Sequence, residues 1–411
     1  MPPSASERSA LVIGCGAAGL MAADLLSRAG CRVTAIDHMP SAARKLLRAG
    51  IGGLNVTHSE PLERFLERYQ TDYPPLLTAI RSFGPQQLIE FLHELGVDTF
   101  VGSSGRVFPS TMKASPLLRA WKARLATQGV NWLLGHRWLG RNEQGGHRLQ
   151  NTVGQHLDLH ADICILALGG ASWPRLGTDG HWSAHMPQAC APFAASNVGV
   201  EIELTSSWQH HRGAALKDCR VNIAGLSQRG DLLMSTYGLE GGAIYALSPA
   251  LRQALAETGS ATIELDLRPQ LSSADLLRKL QAQASKTSLS NRWRKAGLRA
   301  VEMDLVRDHL DRALWKDDAQ VVACLKALRL QVSALRPLAE AISCSGGVRA
   351  SSLDENFMLK SWPGVFCAGE MLNFDAPTGG YLLTAAWASA HAAAHAALAW
   401  SAQMRAGREG L

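Results

Sequence analysis

Gly14, Gly16 and Gly19 stand in the order G-x-G-x-x-G directly after an apolar run, and Asp37 closes the next apolar run. Together these residues can bind a dinucleotide. The first glycine permits a tight turn, the second lets a pyrophosphate approach the backbone, and the third lets a helix pack on a strand. Ala17 and Ala18 then open a helix whose free N–H groups and positive dipole end face the phosphates. Asp37 accepts the ribose hydroxyls, and His38 follows at the adenosine end. An acid here disfavours a 2′-phosphate, which leaves FAD or NAD.

Three further segments carry matching chemistry. Near the C-terminus, "GVFCAGE" (364–370) is a short apolar strand running into Gly369 and Glu370. Gly379, Gly380, Tyr381 and Leu382 then open a long alanine-rich helix. Such a return of the last segment to the first nucleotide site is a habit of flavoproteins rather than of NAD-only dehydrogenases. Glu370 would accept a ribityl hydroxyl, and the helix start would stabilise negative charge on the reduced flavin. In "DICILALGG" a buried strand, 163–168, ends at Gly169 and Gly170 beneath the cofactor. The fourth segment, "AGIGGLNVTH" (49–58), follows Arg44 and Lys45, which could reach the FAD phosphates or adenosine. Gly50, Gly52 and Asn55 are its expected cofactor contacts.

These motifs need an α/β frame. "ALVIGCGAAGLMAADLLSRAGCRVTAIDH" reads as strand, turn, helix and strand. Across 411 residues, a 46% hydrophobic and 18% charged composition is that of a globular chain with room for several domains. Eight scattered cysteines form no CxxC pair or zinc spacing and read as buried free thiols, so no metal is expected. The start, "MPPSASERSA", has no basic segment leading into a long apolar run. No membrane span is expected, and the expected compartment is the cytoplasm. Net charge is +6, and the stretch from Arg278 to Arg299 carries Lys279, Lys286, Arg292, Arg294 and Lys295 around Trp293 with no acid. It is either a solvated helix face or a phosphate-contacting surface with an aromatic stacker.

With these segments together, the chain resembles the BaiN/YhiN-type family of FAD-dependent oxidoreductases. The likeness includes "ARKLLRAG" (43–50), "SSGRVFPSTMKAS" (103–115), "LALGGASWPRLGTDG" (166–180), "GDLLMSTYGLEGGAIYALS" (230–248) and "SGGVRASSLDENFMLKSWPGVFCAGE" (345–370). The resemblance implies a Rossmann-like FAD-binding domain built from both chain ends (1–190 and 339–411). A mostly-β domain (191–270) and a small helical domain (271–338) are inserted in it. Strand-like runs "VGVEIEL" and "ATIELDL" and helix-like runs between 272 and 335 agree with that layout.

The family includes enzymes that reduce carbon–carbon double bonds and relatives similar to ribosomal RNA dihydrouridine synthases. Both kinds of chemistry use NADH or NADPH as a transient reductant of FAD. A hydride then passes to an activated alkene and an acid protonates the neighbouring carbon. Many relatives have Gly-Gly-Gly-Arg-Cys-Asn in the 50–55 loop, where this chain has Ile51, Gly53 and Leu54 in place of the second Gly, the Arg and the Cys. If that cysteine is the relatives' acid, Tyr381, Tyr237, His58 and His181 are the candidates here. Arg106 and Arg175, in Gly/Ser/Pro-rich loops, could clamp an anionic substrate or an RNA phosphate. The implied partner is a small-molecule substrate or ribosomal RNA. A flavin-binding protein without turnover is the alternative of a different class.

Overall fold

The computed structural model describes residues 8–283 and 287–409. The chain divides into two compact units: Met1–Ala194 together with Ser343–Leu411, and Ala195–Ile342.

The first unit is built on a parallel five-stranded sheet. Its order is Val365–Cys367, Ile163–Leu166, Ser9–Ile13, Arg32–Asp37 and Asn131–Leu134. Ile13 pairs with both Ile36 and Leu166, so the three central strands end at one level. The middle strands are apolar runs because both faces are covered; Val12, Ile165 and Leu166 are fully buried. Helix Ala17–Arg28 follows the first strand, and the C-terminal helix Tyr381–Glu409 packs against it. Alanines 385, 388, 390, 393, 394 and 397 have no exposed surface. Their small side chains allow this close approach. The alanine-rich tail is therefore a core helix.

Two small antiparallel sheets complete the unit. One is His136–Arg141, His147–Asn151 and His156–Leu159. The other places Arg106–Pro109 between Thr57–His58 and Thr99–Val101, with His58 opposite Arg106 and Phe100 opposite Phe108.

The second unit holds a closed antiparallel barrel with the strand order Val200–Ile202, Gly238–Glu240, Leu226–Met234, Ala215–Ile223, Ala261–Asp266 and Leu328–Leu335. Helices Ser273–Gln281, Leu289–Lys295, Ala300–His309 and Asp318–Lys326 belong to the same unit. The sequence expectation of helix up to residue 335 fails at its end. Leu328, Leu330 and Val332 are buried and alternate with exposed Arg329, Gln331 and Ser333. That period of two makes a strand, and its pairing with Ala261–Asp266 and Val200–Ile202 closes the barrel.

Candidate functional site

The first turn behaves as its glycines require. Gly14 has φ +102°, and a Cβ there would lie 2.2 Å from the Ala167 carbonyl oxygen. A Cβ at Gly19 would lie 1.8 Å from the Gly14 oxygen, so helix and turn are in direct contact. At Gly16 a Cβ would meet nothing within 4 Å. Its open side belongs to a cleft that Gly14, Asp37, His38, Arg44, Lys45 and Gly169 also line. The Asp37 carboxylate accepts the Cys15 N–H and the Met39 N–H, each at 2.8 Å. These bonds fix the acid at the cleft wall and leave each oxygen a further lone pair. Burial lowers the His38 imidazole, with nearby Arg137 acting in the same direction. Gly177, at φ +100°, packs on Met39 and His38 where the 173–180 loop passes.

Three segments far apart in sequence meet at Lys45. Its Nζ lies 2.6 Å from Glu370 Oε2 and donates to Ser172 Oγ at 2.7 Å. The sequence assigned Lys45 to phosphates or adenosine; here two of its three ammonium donors go to Ser172 and Glu370. Ser172 lies in the 166–180 motif without an assigned role there; this contact supplies one. Beneath them, Gly170 has no room for a side chain because Cys344 Sγ would lie 2.3 Å from its Cβ. The Ala171 N–H donates to the same sulfur at 3.2 Å. Burial, reinforced by Glu370, pushes the Cys344 thiol up to about 12, so it is a neutral packing group. Gly369, at φ +85°, presses on Ala18 of the first helix.

Glu370 Oε1, Asn55 Oδ1 and Arg44 Nε are buried polar atoms with no hydrogen-bond partner. Buried polar atoms are normally paired. All three belong to residues that the sequence assigns to the cofactor. The oxygens are acceptors suited to hydroxyl and amide hydrogens, and Arg44 Nε is a donor suited to a phosphate or adenosine acceptor. These residues fit FAD.

The 49–58 loop differs in detail from expectation. Gly50 caps the short helix Arg44–Ala49; its N–H donates to Leu46 and Leu47 carbonyls, and its Cβ would lie 2.7 Å from that of Ala114. Packing against Ala114 therefore accounts for glycine at 50. Gly52 is exposed with open space around it. The strained glycine is Gly53, at φ +113° against Met112 and Phe108. Leu54 is fully buried, so the position that holds cysteine in many relatives faces the core. Asn55 Nδ2 donates to the Thr57 and Val107 carbonyls at 2.8 and 3.0 Å and braces the turn. Gly380, at φ +94°, lies on the Thr57 backbone, where a Cβ would come within 2.3 Å. Thr384 Oγ1 bonds Thr57 Oγ1 at 2.9 Å. The start of the C-terminal helix, with half-buried Leu382 in its first turn, is thus seated on the end of this loop.

Of the acid candidates, the fold joins Tyr381 and His58. Their rings stack with centroids 5.8 Å apart, and the Tyr381 hydroxyl donates to Glu60 Oε1 at 2.5 Å. Arg68 Nη2 holds Glu60 Oε2 at 3.0 Å. Burial would raise the Glu60 carboxyl, but hydrogen bonds from Arg68 and Tyr381 outweigh it and bring it below its usual range. Burial, with Glu60 adding to it, raises the Tyr381 phenol well above its usual range. Glu60 and Arg68 lay outside every motif and were missed. His181 is 79% exposed beside Asp179, itself paired with Arg137 at 2.8 Å. Tyr237 belongs to the Ala195–Ile342 unit, where it donates to Glu240 beneath the Arg336 guanidinium.

The basic stretch loses its aromatic stacker. Trp293 has no exposed surface, Arg292 pairs with Asp318, Arg299 with Glu302 and Arg278 with Asp275. The acids that neutralise it all come from outside the segment. Lys286 lies outside the described residues. Among the described residues no group of three or more His, Cys, Asp or Glu could hold a metal ion, and no helix is long and apolar enough to cross a membrane.

The family model of the HI0933-like protein Rossmann domain matches residues 8–396. The chain is 24% identical over 415 residues to the 3-dehydro-bile acid delta(4,6)-reductase of Clostridium scindens, covering 94% of this chain and 98% of that protein. It is 23% identical over 405 residues to the ribosomal RNA dihydrouridine synthase of Escherichia coli, covering 94% and 96%. Among solved structures, 3-ketosteroid delta1-dehydrogenase from Sterolibacterium denitrificans shares the fold with a TM-score of 0.51 at 12% identity, over 95% of this chain and 100% of that one.

Proposed function

The chain belongs to the HI0933-like family of FAD-binding Rossmann proteins, the BaiN/YhiN-type oxidoreductases, and from that premise we propose that it uses NADH or NADPH to reduce an activated carbon–carbon double bond. The observation that carries this reading is the set of orphaned polar atoms on Arg44, Asn55 and Glu370, together with the open Gly16 turn. Bound FAD would supply the two-electron chemistry, accepting a hydride from a nicotinamide and passing one to an electron-poor carbon.

The chain's own residues do the rest. Gly16 and the first turn of Ala17–Arg28 would hold the pyrophosphate, and Asp37 would hold a ribose. Glu370, held by Lys45 and Ser172, offers Oε1 to the ribityl chain. Asn55, Gly379 and Gly380 would hold the ring end of the cofactor, and the start of Tyr381–Glu409 would add positive potential there. Arg68 keeps Glu60 ionised, and Glu60 orients the proton held on the Tyr381 oxygen. That proton is the one we assign to the substrate carbon.

The test is direct. The purified protein should be yellow and release FAD on denaturation. Anaerobic NADH or NADPH should bleach it, and an electron-poor alkene should restore the colour. A colourless protein with no releasable flavin refutes the reading. Similarity to the dihydrouridine synthase supports a second reading, action on ribosomal RNA. Buried Leu54 and Trp293 weigh against it. Unchanged dihydrouridine in ribosomal RNA from a strain lacking the gene would remove it.

A further inference from the structure

His391 and His395 interrupt the alanine run of the C-terminal helix and take no part in the cofactor site. Residues four apart share one face of a helix. Here the two rings meet, with centroids 4.5 Å apart and planes at 53°. Phe83 stacks on His391 at 4.5 Å and 21°, which holds that imidazole in place. His391 is half-buried and His395 exposed, and neither makes a hydrogen bond or ion pair with any described residue. Alanines 390, 393, 394 and 397 around them have no exposed surface, so the helix packs here without larger side chains. Half-burying an imidazole with no hydrogen bond costs desolvation that alanine would avoid. A ligand taking a lone pair from each ring would offset that cost.

Two grooves of the first unit meet at this pair, and both histidines line both of them. One runs beside helix Pro74–Ser82 and contains Thr78, Glu355 and Asn356. The other runs between helices Ala17–Arg28 and Pro85–Glu94 and contains Arg28, Glu90 and Glu94. Glu94 lies 3.8 Å from Arg28 and 3.7 Å from Arg124, so its charge is already shared. Glu355 and Glu90 have no ion pair among the described residues. The pair therefore stands in solvent-reachable space, with uncompensated carboxylates in the grooves on either side. Such surroundings favour a cation over an anion.

We propose that His391 and His395 chelate one divalent first-row transition metal ion of the Cu²⁺ or Zn²⁺ kind. Two histidines at this helical spacing can place one nitrogen each on a single ion. Neutral imidazole suits these metals, whereas Mg²⁺ and Ca²⁺ take oxygen ligands. Two imidazoles leave the remaining positions to water and to a groove carboxylate, so the site stays open on its solvent side. Binding exchanges coordinated water for two ring lone pairs and involves no redox step. His391 stands ten residues after Tyr381, about 15 Å along the helix. The metal site is therefore separate from the cofactor cleft and does not rest on the reading of the flavin chemistry.

The experiment is calorimetric titration of the full-length protein, as purified, with Cu²⁺, followed by electron paramagnetic resonance at one equivalent. One Cu²⁺ should bind, and its spectrum should carry hyperfine structure from two nitrogens. Zn²⁺ should displace it and Mg²⁺ should not. His395→Ala places the best helix former at an exposed helical position, so the fold should tolerate it. His391→Phe keeps an aromatic ring against Phe83. Each should weaken Cu²⁺ at least ~10-fold, because the second arm of a chelate binds at high effective concentration. Flavin content should be the same in both variants as in the wild type. Binding that survives both substitutions, coupling to a single nitrogen, displacement by Mg²⁺ as readily as by Zn²⁺, or a wild-type site that fills only above ~1 mM Cu²⁺ would each overturn the assignment. Should His391→Phe fail to fold, His395→Ala decides alone.

Discussion

Replacing Lys45 by methionine tests whether the site is built around its ion pair with Glu370. The pair is short, at 2.6 Å, and its side chains are only 26% and 18% exposed. Exposed pairs contribute about 0.2–1 kcal/mol, and breaking a buried one costs about 3–5 kcal/mol. This pair lies between those limits, so we expect about 1.5–3 kcal/mol from its loss. The cost falls on Glu370, which has one oxygen already unpartnered and would lose the salt-bridge partner of the other. At ~1.4 kcal/mol per tenfold, the FAD dissociation constant of K45M should rise about 10- to 100-fold. The assay is quenching of FAD fluorescence during titration of the apoprotein. Adding E370Q should recover part of the loss, because a neutral amide does not require the ammonium. A K45M protein that binds FAD like the wild type would refute the reasoning. A double variant no better than K45M would instead mean that Lys45 contacts the cofactor directly.

Other perturbations follow from single contacts. Gly16→Ala should leave the melting temperature within a few degrees yet weaken FAD at least ~10-fold, because its Cβ enters only the space meant for the pyrophosphate. Gly19→Ala should lower the melting temperature of the apoprotein as well, by an amount matching roughly 3 kcal/mol, since the Gly14 carbonyl blocks its Cβ. Burial, with Arg141 adding to it, holds His147 down to about 4, and its Nδ1 accepts the Trp138 indole N–H at 3.2 Å. The folded protein therefore binds fewer protons than the unfolded chain between pH 6.5 and about 4. Stability should fall as pH drops through that window, by at most about 3 kcal/mol, and denaturant titrations of His147→Phe should show a shallower slope. Tyr381→Phe removes the donor to Glu60 and should cost about 1 kcal/mol of stability. Anaerobic stopped flow should find its flavin reduction by NAD(P)H unchanged and its alkene reduction slowed. Equal slowing of both half-reactions would remove Tyr381 from the protonation step.

Much of the cofactor site was legible in local sequence because its demands are local. A glycine turn between an apolar strand and a helix has few solutions, and Gly14, Gly16, Gly19 and Asp37 lie within one short unit. The two chain ends were joined by the flavoprotein-like C-terminal segment and the family resemblance, and the fold does so by pairing Val365–Cys367 with Ile163–Leu166. Strand Leu328–Leu335 was hidden because its alternation follows directly on a helical run. The sequence left the role of Trp293 open because the charges beside it say nothing about which way a ring points.

The sequence by itself determined the nucleotide-binding turn and the apolar strands around it, since these depend on backbone sterics and neighbouring residues. Only the tertiary structure decided which charges meet. Lys45 finds Glu370 and Ser172, Tyr381 finds Glu60, and Arg106 finds no described partner. Side-chain electrostatics act through space over a few ångströms, and chain order carries no record of those distances.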